Sequence, residues 1–388
     1  VNVSLDGTGT PWQEDLVNDW FGFFQSLLDE AGITPDESPD EVGASQYLEA
    51  LLLMITSRTD PLAAVWTDLA AVTNFFHNFT DTDIGAQASS GRAIIWNPIT
   101  KRFYSINRND SNNPTGLSFQ APYVDITTTL TMDAGDGLTV HPFAALCDPA
   151  GKMVVGGAPA ASSQSRYRSS TGGSWTARTS AKAASTVGPT SGVYAAGTIN
   201  KFFMGYTSGG EIESSSDGET WANALAAGLQ ANVSMAFSPT LNMIITVGGG
   251  TEYRTSLDGA AWTERAAPAN FQVVSWSVGL SAFIAVSDAD TWYTSSDGIA
   301  WALAAGTTVG DTTKALIHEY QGVITTHFDG QFFYSADGLA TWAQEVSTVS
   351  PTGGSTFALS SAIDPERGTL MLGNYIDGFH MVTGRFGP

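Results

Sequence analysis

The sequence predicts a mainly β chain, a seven-bladed β-propeller preceded by a small α-helical module. Three observations predict it. A Ser-x-Asp-Gly box ending in tryptophan recurs at steps of about 40 residues, the length of one four-stranded blade. Seven pairs of short apolar stretches, each pair joined by a brief turn, run between residues 93 and 373 in step with the boxes. Before residue 80 the texture differs, with helix caps and apolar residues three and four apart. The expected domains are therefore 1–80, a helical attachment and oligomerisation module, and 81–388, the propeller.

The first helix opens on Thr10-Pro11-Trp12-Gln13, an N-cap threonine with proline at the first helical position and glutamine at the third. Trp12, Leu16, Trp20, Phe23 and Leu27 then form one helical stripe, and Gly32 is its stop. Ser38-Pro39-Asp40-Glu41 caps a second helix, whose apolar face is Tyr47, Leu48, Leu51, Leu52 and Ile55. Asp60-Pro61 opens a third, and there Leu62, Val65, Leu69, Val72, Phe76 and Phe79 alternate three and four apart. That is a heptad seam of about two and a half heptads. It serves either contacts between chains and with a partner, or packing inside a three-helix unit.

The boxes are Ser215 to Trp221, Ser256 to Trp262, Ser295 to Trp301 and Ser335 to Trp342, with a degenerate copy from Ser170 to Trp175. The strand pairs open each unit: Ala93–Trp96 with Arg102–Ile106, Phe143–Cys147 with Met153–Gly156, and Val193–Ala196 with Phe202–Tyr206. They continue as Ser234–Phe237 with Met243–Val247, Val273–Ser277 with Ala282–Val286, Leu316–Glu319 with Val323–Thr326, and Leu359–Ile363 with Thr369–Gly373. The last unit runs out of chain after a third strand near Phe379–Gly384. It should close by borrowing a strand from the other end, with Ile84–Gly91 the nearest candidate.

The boxes resemble the Asp-box of the sialidase-like β-propellers. The fourth copy has that family's spacing but carries glycine one place early, at Gly338. The resemblance implies a hairpin between the third and fourth strands of a blade. Asp-Gly supplies the tight turn, Ser and Asp side chains bond to turn amides, and the tryptophan packs back into the blade. Asp217, Asp258, Asp297 and Asp337, with Trp221, Trp262, Trp301 and Trp342, are therefore expected to be structural rather than ligand-binding. The family's active site implies three arginines on a carboxylate, a tyrosine paired with a glutamate, and an acidic aspartate. The arginines here occupy no equivalent places in successive units. Glu252-Tyr253-Arg254 cannot converge in one strand, because neighbouring side chains point to opposite faces.

A second resemblance lies in Asn18 to Leu28, Ala31 to Pro35 and Gly43 to Leu51, with Gln46-Tyr47-Leu48-Glu49-Ala50-Leu51 at its heart. This stretch resembles a helical segment of tailed-bacteriophage tail-fibre and tail-tip proteins. It implies a virion component that docks through its N-terminal helices, associates with other virion proteins and with itself as a trimer, and faces a host-surface glycan or protein with its propeller.

Composition bounds the alternatives. Sixteen Lys and Arg against 38 Asp and Glu give a net charge of −22, which repels nucleic-acid phosphates. The lone Cys147 permits no internal disulfide, and the five histidines form no metal-ligating pattern, so no cofactor or metal is expected. No apolar run is long enough to cross a membrane, and Val1 to Trp12 lacks the features of a secretion signal. The expected function is that of a non-enzymatic tail-associated adhesin. The rivals are a glycan hydrolase on the same fold and a secreted or assembly-factor propeller.

Overall fold

The computed structural model describes residues 76–83, 91–108, 114–120, 123–129, 131–132, 142–157, 165–169, 174–181, 188–206, 209–225, 234–304, 316–320, 322–328, 331–345, 360–366, 369–373 and 380–386. The helices expected before residue 74 lie outside them, as do Leu62, Val65, Leu69 and Val72. Contacts divide the chain after Thr73, and every described strand lies in the second part.

Those strands form seven sheets. Sheet I holds β2 (Gly91–Asn97), β3 (Arg102–Arg108), β4 (Pro114–Gln120) and β5 (Tyr123–Thr129). Sheet II holds β7 (Pro142–Cys147), β8 (Met153–Gly157), β9 (Ser165–Ser169) and β10 (Ser174–Thr179), and β6 (Thr131–Met132) adds to its outer edge, parallel to β10. Sheet III is β11 (Ser191–Ala195), β12 (Lys201–Gly205), β13 (Ile212–Ser215) and β14 (Ala222–Leu225). Sheet IV is β15 (Ser234–Ser238), β16 (Met243–Val247), β17 (Glu252–Ser256) and β18 (Thr263–Ala266). Sheet V is β19 (Phe271–Ser277), β20 (Ala282–Ser287), β21 (Trp292–Ser295) and β22 (Ala302–Leu303). Sheet VI is β23 (Leu316–Tyr320), β24 (Val323–Phe328), β25 (Gln331–Ser335) and β26 (Ala343–Glu345). Sheet VII is β27 (Ser360–Asp364), β28 (Thr369–Gly373) and β29 (His380–Phe386), completed by β1 (Phe76–Asp83).

The first strands of successive sheets touch in cyclic order, and β27 of sheet VII touches β2 of sheet I. The cycle is therefore closed. All seven expected strand pairs form, each end within two residues of its expected place. Several of their second strands are buried on both faces, as in sheets packed on both sides. Met153 to Gly157 and Met243 to Val247 are buried at every residue.

The closing strand corrects two expectations. It is Phe76–Asp83 instead of Ile84–Gly91, and it straddles the boundary expected at residue 80. Phe76 and Phe79, expected at the end of the helical seam, lie in this strand. Without β1, the edge of β29 would carry a row of unpaired backbone groups. Pairing with β29 outweighs a local helical spacing, and a bulge between His77 and Thr80 fits the segment into the register.

A second repeated turn joins the first two strands of five of the sheets, and its polar first residue caps it. Asn97 Oδ1 accepts from Ile99 N at 2.9 Å, Asp148 Oδ1 from Lys152 N at 2.7 Å, and Ser238 Oγ from Leu241 N at 3.1 Å. Ser277 Oγ accepts from Leu280 N at 3.0 Å, and Asp364 Oδ1 from Glu366 N at 2.9 Å. In four of these five, proline follows the cap: Pro98, Pro149, Pro239 and Pro365. Asn-Pro, Asp-Pro and Ser-Pro initiate turns because proline fixes φ at the second position. These dipeptides were a legible repeat that the box pattern overshadowed.

Candidate functional site

The boxes lie between the third and fourth strands of sheets III to VI, at the same end as the proline turns. Asp217 Oδ1 accepts from Glu219 N at 2.7 Å and Thr220 N at 2.8 Å. Asp258 Oδ1 accepts from Ala260 N and Ala261 N, both at 2.8 Å, and Asp297 Oδ1 from Ile299 N at 2.7 Å and Ala300 N at 2.8 Å. Asp337 takes Thr341 N at 2.9 Å and the Thr341 hydroxyl at 2.5 Å. In each box the serine hydroxyl donates to the same aspartate. Backbone N–H groups hold the Asp258 and Asp297 carboxyls below the usual carboxylate value. The aspartates are thus bound to their own turns.

Glycine at these turns meets two demands. Gly259 has φ 69°, and a Cβ there would lie 2.3 Å from the Phe203 ring of the preceding sheet. The fourth box is one residue longer and places both Gly338 and Leu339 at φ 73°.

The box tryptophans correct an expectation. They do not pack back into their own blade alone but wedge between their sheet and the preceding one. Trp221 packs with Ala144, Leu146 and Val154 of sheet II, and Trp262 with Ala195, Ile199 and Phe203 of sheet III. Trp301 meets Ala236, Ile245 and Tyr253 of sheet IV, and Trp342 meets Ile284, Val286 and Trp292 of sheet V. The C-terminal side of each box leans toward the neighbouring sheet, so the tryptophan seals the joint.

The residues that a sialidase-like site would need do not assemble around Tyr253. Its hydroxyl donates to the Gly298 and Ile299 carbonyls of the next box, both at 3.1 Å. Arg254 instead pairs with Glu264 at 3.7 Å. A tyrosine–glutamate contact does exist elsewhere. Tyr206 Oη donates to Glu213 Oε2 at 2.9 Å, and Ser180 Oγ donates to Glu213 Oε1 at 2.5 Å. Tyr206 and Glu213 are both fully buried, which makes the contact a structural bridge between sheets II and III.

One further contact joins a potential nucleophile to a base. His318 Nε2 on β23 lies 2.5 Å from Ser361 Oγ on β27. Burial pushes the His318 pKa down to about 4, so the imidazole is neutral near pH 7. It is then a weak general base, since proton transfer is best served by a pKa near the working pH. The box pattern carries no sign of this contact, because the two residues lie 43 positions apart in separate units.

The closed cycle of sheets matches solved structures. The structure of YCF48 bound to D1 peptide superposes with a TM-score of 0.57 and 13% identity, covering 80% of this chain and 100% of that one. The fold is that of a β-propeller. A streptogramin B lyase, also similar to this propeller, superposes with a TM-score of 0.55 and 9% identity over 80% of this chain and 98% of that one. No protein-family model matches the chain, and no curated protein matches it.

Proposed function

We propose that this chain is a seven-bladed propeller that binds without cutting, as a tail-associated adhesin of a virion. The observation that carries the binding reading is the difference between the two ends of the ring. At the box end, short turns use their own Ser, Asp and Asn side chains to hold backbone. At the opposite end, the last strand of one sheet and the first of the next are separated by long stretches of sequence, 180–190, 226–233, 304–315 and 346–359. Long loops on a rigid scaffold are the usual carriers of recognition. The virion assignment rests on the resemblance of residues 18–51 to tail-fibre segments, and the acidic charge fits a multi-copy surface protein. A peptide-bound propeller such as YCF48 supports a protein receptor alongside a glycan.

The test is immunoelectron microscopy of purified particles with antibody raised against residues 76–388. Label should sit on the tails, and particles free of label would overturn the assignment. The rival hydrolase reading would need the fully buried Tyr206–Glu213 contact to become accessible to substrate. Release of fluorophore from an aryl sialoside, lost in Glu213→Gln, would establish the hydrolase instead.

A further inference from the structure

Five joints of the ring are sealed in the same way. On the second strand of each sheet, one residue faces the following sheet: Tyr104, Val154, Phe203, Ile245 or Ile284, all buried. In sheet VI the corresponding residue is Thr325, which is 1% exposed, and its hydroxyl has no hydrogen-bond partner among the described residues. Directly opposite Thr325 on the neighbouring strand is His318, which reaches across the joint to Ser361 of β27. The joint between sheets VI and VII is thus polar at the position where those five carry an apolar side chain. It also adjoins the one sheet assembled from both ends of the chain.

We propose that the ring opens at this joint on acidification, with protonation of His318 as the trigger. A charged imidazole there would sit in a part-buried joint with no carboxylate against it among the described residues. Glu319, its neighbour on β23, is turned the other way and accepts from Gly279 N of sheet V at 2.6 Å. Tyr320 donates to the Glu366 carbonyl. On β25, Tyr334 pairs with Thr325 and is neutral near and below pH 7. On β27, Asp364 is three residues from Ser361, on the other face, and caps its own turn. β19 carries no titratable residue. On β24 the titratable residue is His327, two positions beyond Thr325, and as a second histidine it adds no negative charge.

The sign follows from linkage. Opening returns His318 from its depressed value of about 4 toward its ordinary 6.5. The joint therefore has its full stability above pH 6.5 and loses it as pH falls toward 4. The opening equilibrium should rise by about tenfold per pH unit across that window. Backbone N–H groups hold the Asp258 and Asp297 carboxyls below the ordinary carboxylate value, away from the window.

Hydrogen exchange on the full chain at pH 7, 5.5 and 4.5, corrected for the intrinsic rate, tests the proposal. Peptides covering β23, β24 and β27 should lose protection at least tenfold more than those covering β15 and β16. His318→Leu, which restores an apolar joint, and His318→Gln, which keeps a polar group that cannot charge, should both abolish the excess. An equal loss across all sheets would overturn the proposal, as would an unchanged acid response in whichever variant folds.

Discussion

Leu339 shows how one side chain can hold a backbone where leucine is unfavourable. Its φ of 73° lies in the left-handed region, and it is fully buried against Ile284, Val286, Trp292 and Ile324. The strain costs about 1–2 kcal/mol, and burying the side chain contributes about 2–3 kcal/mol, so packing wins narrowly. Leu339→Ala should destabilise by about 2–5 kcal/mol, because alanine loses the packing and keeps the strain. Leu339→Gly loses the same packing but relieves the strain. It should be more stable than the alanine variant by about 1 kcal/mol, the reverse of the usual order. Urea unfolding of the two variants measures this, and a weaker glycine variant would refute the strain account. The sequence showed that the fourth box was longer and its glycine early. It did not show that leucine would take the left-handed place, because that depends on a pocket supplied by sheet V.

At the scale of elements, the seven strand pairs were legible because each joins two short apolar runs by a turn, a local signal. Strand β1 was not legible. Phe76 and Phe79 continue the three-four spacing of Leu62 to Val72, and only the distant β29 reveals the strand. Strand β6 was hidden for a related reason: it is two residues long and pairs in parallel with β10. The candidate chemistry divided in the same way. Box turns are local and were readable, whereas the tryptophan wedges and the His318–Ser361 contact arise between units. β1 also determines where the ring can be cut. A chain beginning at Asn74 retains the strand and should melt as one cooperative unit. A chain beginning at residue 85 leaves β29 as an open edge, which invites pairing with another chain. That truncation should melt at a lower temperature and associate, as read by calorimetry and light scattering. Equal melting of the two would mean that β1 does not close the ring.

At the scale of the whole molecule, the proposed attachment role draws on the apolar side chains before residue 76. Trp12, Trp20, Phe21, Phe23, Phe24, Trp66 and Phe75 all lie there, and a segment that short has too little interior to hide them all. Loss of Phe76 and Phe79 to β1 shortens the expected seam to Leu62, Val65, Leu69 and Val72. A seam of fewer than two heptads is weak by itself, so in the proposed association the apolar residues from Trp12 to Leu27 are expected to contribute. The net charge of −22 opposes assembly and is screened by salt, with a Debye length of about 8 Å at physiological ionic strength. Oligomers should therefore be firmer at 150 mM salt than at 10 mM. The full chain should scatter as an oligomer, a trimer by the tail-fibre resemblance, and the chain from Asn74 as a monomer. Leu69→Asp should weaken the oligomer while the melting of the propeller stays unchanged. A monodisperse full-length monomer at either salt concentration would remove both the oligomer and the attachment role built on it.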